Sequence, residues 1–202
     1  MVKKLHMARP REFDFNEALQ AAMLLFWERG YEATSVDDLL RRMKINRASL
    51  YGAFGEKRAL FVQALKHYEK NFGYESLLER AKNGSPKKAV KELFEETIKT
   101  LRETPPAERR GCLMQNTALE LAPHDAAIGR IVRENTEKCH ALFIQVLELA
   151  KEKGELTKTR REISDLAMFL FANLSAIRQL GKAGMDESVL RAVKDNALKL
   201  IE

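Results

Sequence analysis

The chain has 202 residues, 45% apolar and 32% charged, with 10 Gly and 5 Pro, which is long enough for a buried core in one or two domains and excludes a disordered or fibrous protein. The net charge is +6, and its excess is concentrated early: residues 1–72 hold 13 Lys and Arg against 9 Asp and Glu, residues 73–202 hold 22 against 20, so an anionic partner is expected at the N-terminal third. Two cysteines exclude a disulfide framework, no secretion signal opens the chain, and the most apolar stretch, LAMFLFANLSAI (166–177), is interrupted by Asn173 and Ser175 and falls short of the roughly 20 residues that cross a bilayer. A cytoplasmic protein with no membrane partner is expected.

Helical periodicity runs almost throughout and strand-like alternation is absent, so the fold class is all-α, with about nine helices. The leading MVKKLHM resembles no structural element, and the basic ARPR (8–11) after it reads either as an arm that enters a minor groove or neutralises phosphates or as a solvated end. The first helix opens on Asp14 with Glu17 three residues on, presents Ala18, Leu19, Ala22, Met23 and Phe26 on one face, and ends at Gly30. Ser35 with Asp38 opens a short second helix carrying Val36, Leu39, Leu40 and Met43, and Asn46 caps a third. A fourth runs over about 56–72, with Leu60, Phe61, Ala64, Leu65 and Tyr68 on one side. KNGSP (82–86) is the first strong break, and Pro86 suits a first helical position after Ser85. Later helices are expected at 86–103, 112–122, 125–153, 162–182 and 187–201, joined by ETPPAERRG (103–111) and KGELTKTR (153–160).

Helix, tight turn and second short helix within about 20 residues form a helix-turn-helix arrangement. Its second helix must enter the DNA major groove, so its outer face needs small and polar side chains. In INRASLYGAFGEK (45–57) that face is Arg47, Ala48 and Ser49, while Leu50 and Phe54, four apart, anchor the other side. Tyr51 can reach a phosphate, and Lys57 stands at the start of the next helix, where charge and helix dipole favour one.

The block from Phe26 to Ser35, F-x-x-x-G-Y-x-x-T-S, followed by LY-x-x-F-x-x-K from Leu50 to Lys57, resembles the TetR (tetracycline-repressor) family of bacterial transcriptional regulators. The resemblance implies a three-helix DNA-binding domain over 9–70, with its recognition motif at about 35–54, and a helical effector-binding and dimerisation domain over 73–202. It implies that Thr34, Ser35, Arg47, Ser49, Tyr51 and Lys57 face DNA: Arg47 and Ser49 at base edges, Thr34, Ser35, Tyr51 and Lys57 on phosphates. Three positions depart from the family pattern. Lys44 stands at a turn position often held by Gly and offers a further phosphate contact, and Gly52 and Ala53 replace residues that are often polar or aromatic.

Further along, RRGCLMQNTALELAP (109–123) resembles a helix that walls the effector cavity of related regulators, and RQLGKAGMDESVLRAVKDNALKLI (178–201) their closing, dimer-forming helices. The implied protein is a homodimer joined through about 162–201, most simply a repressor on a palindromic double-stranded operator, released when a small organic effector shifts the fourth helix. Candidate effector contacts are Cys112, Asn116, Glu120, Phe143, Phe169 and Asn173. Cys112, beside Arg109 and Arg110 at a helix start, has two open readings: a reactive thiolate that senses electrophiles or oxidants, or a small packing residue. Asn116 and Glu120 are either polar groups in an apolar cavity or a capping or interface pair, and Cys139, Trp27 and Met114 read as packing. No metal site is expected, because His6, His67, His124 and His140 are scattered, and no cofactor. An enzyme is not expected either: the chain has no phosphate-cradling glycine loop, nucleophile elbow or convincing carboxylate pair.

Overall fold

In the computed structural model, described for residues 13–202, ten α-helices follow one another. They are α1 Phe15–Arg29, α2 Val36–Met43, α3 Arg47–Phe54, α4 Lys57–Phe72, α5 Glu75–Asn83, α6 Pro86–Glu103, α7 Leu113–Glu120, α8 Ala126–Glu152, α9 Arg160–Lys182 and α10 Glu187–Leu198. Short 3-10 turns at Pro106–Glu108 and Lys199–Ile201 complete the set, and no strand occurs among the described residues. The fold is all-α. ARPR and the segment before it lie outside the described residues.

Most helix starts are set by one side chain accepting an orphan backbone N–H, an arrangement worth about 1 kcal/mol each. Ser35 and Asp38 cap each other's backbone at 3.1 Å in both directions, and Asn46 Oδ1 accepts from Ser49 N at 2.8 Å. Asp14, Ser85 and Asp125 do the same for α1, α6 and α8. Helix α9 starts two residues ahead of the expected 162, because Thr159 and Glu162 form a reciprocal cap. Helix α5 is additional to the nine expected helices. Its N-terminal residue Tyr74 makes no side-chain cap, so no start signal marks it.

Two apolar cores result. One gathers α1 to α4 around Met23, Phe26, Leu39, Leu50, Leu60 and Phe61, and it also takes in Leu113, Met114 and Leu121 from α7 and its end and Ile128 from α8. The other packs α5, α6, α8, α9 and α10 around Leu77, Phe94, Ile98, Phe143, Leu170 and Ile177. At Gly181, α9 comes so close to α6 that an added Cβ would lie 2.6 Å from a Leu101 methyl. Each large side chain removed from water in this way contributes about 1.5–3 kcal/mol.

Candidate functional site

Helix α3 is held from behind and left open in front. Leu50 and Phe54 are buried, and the Phe54 ring stacks on Phe15 of α1 with centroids 4.5 Å apart. Its last turn is tied to α4 by Gln63 Nε2, which donates to Phe54 O at 3.0 Å. On the other side Asn46, Arg47, Ala48, Tyr51 and Gly52 are exposed, and a Cβ added at Gly52 would meet nothing within 4 Å. Tyr51 is 43% exposed, a large value for an aromatic on a helix of eight residues. Arg47 Nη2 pairs with Asp37 Oδ1 at 2.6 Å with both side chains more than half exposed. Such a pair contributes under about 1 kcal/mol and is readily exchanged for a stronger acceptor. Lys44 takes the left-handed conformation, φ 55°, in the turn before α3 and is exposed. Lys57 Nζ lies 4.1 Å from the centre of the Tyr31 ring at the start of α4.

Three contacts fasten this assembly to the rest of the molecule. Glu120, at the end of α7, accepts from Tyr31 N at 3.0 Å and Glu32 N at 2.9 Å, the two amides that follow α1. Gly30 makes room for it: its φ is 86°, and an added Cβ would sit 3.0 Å from the Glu120 carboxylate. Arg58 of α4 grips Asp125 with Nε and Nη2 at 2.8 and 3.0 Å, which draws the Asp125 carboxyl down to about 2. Glu28 of α1 accepts at 2.9 Å from both Arg42 of α2 and Arg110 of the segment before α7.

Behind α4 lie two cavities. The larger, about 350 Å³, is bounded by Trp27, Tyr68 and Phe72 on one side and by α6 and the 104–111 segment on the other. Its aromatic wall is continuous, with Trp27 edge-on to Tyr68 and Phe72 at 5.0 and 5.2 Å. The smaller, about 90 Å³, lies between α4, α7, α8 and α9 and is lined by Cys112, Gln115, Asn135 and Cys139 among others. Tyr68 donates to Cys112 Sγ at 3.4 Å, and burial holds its hydroxyl well above the ordinary phenol range. Burial likewise pushes the Cys139 thiol up to about 12.

Comparison with known proteins places this arrangement. The family model "Bacterial regulatory proteins, tetR family" matches residues 18–64, and "Tetracyclin repressor-like, C-terminal domain" matches residues 86–196. The uncharacterized HTH-type transcriptional regulator YezE of Bacillus subtilis (strain 168) is 34% identical over 97% of this chain and 100% of its own. The chain belongs to the TetR family. The HTH-type transcriptional repressor ComR of Escherichia coli (strain K12) is 28% identical over 98% of this chain and 93% of its own. Among solved structures, a cysteine mutant of the TetR-family regulator CifR, complexed with 26-bp double-strand operator DNA, superposes with a TM-score of 0.81 at 33% identity, covering 95% of this chain and 98% of that one.

Set on this TetR fold, the residues singled out from sequence separate into two groups. Ser35, Lys44, Arg47, Ala48 and Tyr51 are exposed and Ser49 and Lys57 half-buried, whereas Thr34 is closed off. Its side chain is fully buried and its Oγ1 donates to Gly30 O at 2.6 Å, so it braces the turn after α1 and is closed to a phosphate. Of the candidate effector contacts, Cys112 alone lines either of these two cavities. Glu120 is committed to the Tyr31 and Glu32 amides. Asn116 tethers the preceding segment, Nδ2 donating to Arg110 O at 3.0 Å. Phe143 is buried in the second core, edge-on to Tyr74 at 5.7 Å, and Phe169 and Asn173 lie on the outer side of α9, where Asn173 Nδ2 donates to Phe169 O at 2.8 Å. The sequence reading did not single out Arg178, which lines both cavities, and it took Trp27 as packing alone. Trp27 had a local signal, an aromatic beside the buried Phe26 on α1. Arg178 had none, since a basic residue near a helix end is commonplace.

Proposed function

We propose that this TetR-family chain is a homodimeric repressor that reads a palindromic double-stranded operator and is released from it by a small organic effector. The observation that carries the reading is the face of α3: exposed Arg47, Ala48 and Tyr51 beside Ser49, on a helix whose back is locked by Leu50 and Phe54. Arg47 and Ser49 reach base edges, while Ser35, Lys44, Tyr51 and Lys57 hold phosphates and set the register. The operator complex of the CifR relative supports duplex DNA as the partner.

Labour divides between about 9–70, which reads DNA, and 73–202, which binds effector and partner subunit. Dimerisation is supported by an apolar stripe on α9, with Met168 and Phe169 exposed at 38% and 43% and Ala172 and Ala176 in line with them. A two-fold dimer sets two α3 helices about one DNA turn, roughly 34 Å, apart. An effector behind α4 acts by binding one spacing better than the other, and a hundredfold preference is worth about 2.7 kcal/mol, enough to release an operator under competition.

The test is fluorescence anisotropy on DNA from upstream of the protein's own gene, with salt titrated and Arg47→Ala beside the wild type. Specific, salt-sensitive binding that weakens by about 1–3 kcal/mol in the variant, with relaxed base preference, is the expected result. Binding equal on all DNA and indifferent to Arg47 overturns the assignment of α3.

A further inference from the structure

The groups left open around the cavities share one chemistry. Arg178, on α9, lines both of them, and among the described residues its guanidinium forms no ion pair with a carboxylate. Of the five N–H donors of a guanidinium, Nη1 gives one to Tyr74 Oη at 2.6 Å, with the cation 5.1 Å from the centre of the same ring. A phenol hydroxyl and a ring face leave the positive charge unneutralised, and an enclosed cation without a counter-ion is costly.

A second, independent observation points the same way. Trp27 Nε1 and Arg110 Nε are buried from water and find no acceptor, and both side chains line the larger cavity, the guanidinium 5.7 Å from the indole centre. Buried donors are almost always satisfied, so two orphans lining one cavity call for an acceptor that belongs to something else. The carboxylates nearby do not serve. Glu96 is bound to Arg80 at 2.7 Å, Glu69 to Lys138 at 2.6 Å, and Glu108 is exposed. The groups left without an acceptor or a counter-ion, Trp27 Nε1, Arg110 Nε and the Arg178 guanidinium, all call for a lone pair or a negative charge. The remaining wall, Trp27, Tyr68 and Phe72, is aromatic, and about 350 Å³ sits at the small end of ligand-sized pockets.

We propose that the effector is a small organic acid: its carboxylate on Arg178, a second acceptor atom toward Trp27 Nε1 and Arg110 Nε, and its apolar body on the Trp27–Tyr68–Phe72 wall. This rests on the effector reading above and narrows it to anions. It also gives the ligand a direct hold on the DNA-reading half, because Trp27 belongs to α1 and precedes Glu28, the acceptor that ties Arg42 of α2 to Arg110.

Trp27 is the chain's single tryptophan, so its emission reports on the wall. The full-length protein, without DNA, is titrated with hexanoate, octanoate, benzoate and 1-naphthoate, and with the primary amide of each. At least one acid is expected to change Trp27 emission saturably and to bind about tenfold or more tighter than its own amide. Arg178→Gln removes that preference, and Arg178→Lys keeps part of it, with the charge retained and the fork lost. No binding by any acid, or equal binding of acid and amide, overturns the proposal, and the acid–amide comparison on the wild type stands even if the Gln variant fails to fold. A parallel anisotropy titration on operator DNA keeps the two readings apart. Release by the amide and not the acid overturns the anion and leaves the regulator; an acid that binds at Trp27 and never releases DNA keeps the site and removes the effector role.

Discussion

Lys44 occupies a backbone conformation, φ 55° and ψ 41°, that costs a side chain about 1–2 kcal/mol and a glycine nothing comparable. Its placement beside α3 makes sense if the ammonium is needed at a phosphate. Lys44→Gly is therefore expected to move two measurements in opposite directions. Unfolding in urea should show a gain of about 1 kcal/mol, while DNA affinity falls on all sequences alike and the salt slope drops by about one. An unchanged salt slope would remove Lys44 from the DNA backbone. The same scale shows where sequence reading runs out. The exposure of Arg47 and Tyr51 was legible because their neighbours in the chain, Leu50 and Phe54, define the opposite face of one short helix. Glu120 was not, because its partners Tyr31 and Glu32 are 89 and 88 residues away and its bonds go to backbone amides, which every sequence possesses. Thr34 was misplaced for a related reason: whether a hydroxyl turns to a phosphate or to the Gly30 carbonyl depends on the three-dimensional turn.

At the scale of elements, a helix was found wherever a side chain announces its start. Ser35 with Asp38, Asn46, and Ser85 before Pro86 are local signals, and the structure uses each one. Helix α5 has no such signal and exists because Leu77 and Ala81, both fully buried, meet α6 and α8. Asp125 does double duty, capping α8 through Ala127 N and Ile128 N and clamping Arg58 of α4. Its carboxyl is held down from 3.8 to about 2, chiefly by the Arg58 hydrogen bond. The folded state thus binds this proton less readily than the unfolded chain, so the stabilisation is complete above about pH 4 and is lost as pH falls through about 2. The stability difference between wild type and Asp125→Asn, measured by urea unfolding, should shrink across that window. A difference that stays constant with pH would show that folding does not hold the Asp125 carboxyl down.

For the whole molecule, the exposed stripe of Met168, Phe169, Ala172 and Ala176 is the feature a lone subunit would least tolerate in water. Phe169→Glu is expected to yield monomers by light scattering and to lose operator binding, since two-fold half-sites need both copies. A variant that stays dimeric would move the interface off α9. Trp27, Arg110 and Arg178 come from three distant stretches of chain and meet only in the assembled fold, so no spacing in the sequence could have grouped them. Leu113, Met114, Leu121 and Ile128 are packed among the helices that read DNA, and Glu120 fills the space that Gly30 leaves. Exchange of specificity between related proteins is therefore not a matter of grafting the first seventy residues onto a new body. The smallest portable reading head is discontinuous, α1 to α4 together with α7 and the first turn of α8. A chimera that joins at residue 72 inherits an unmatched seam unless the recipient supplies its own carboxylate and apolar residues at those places.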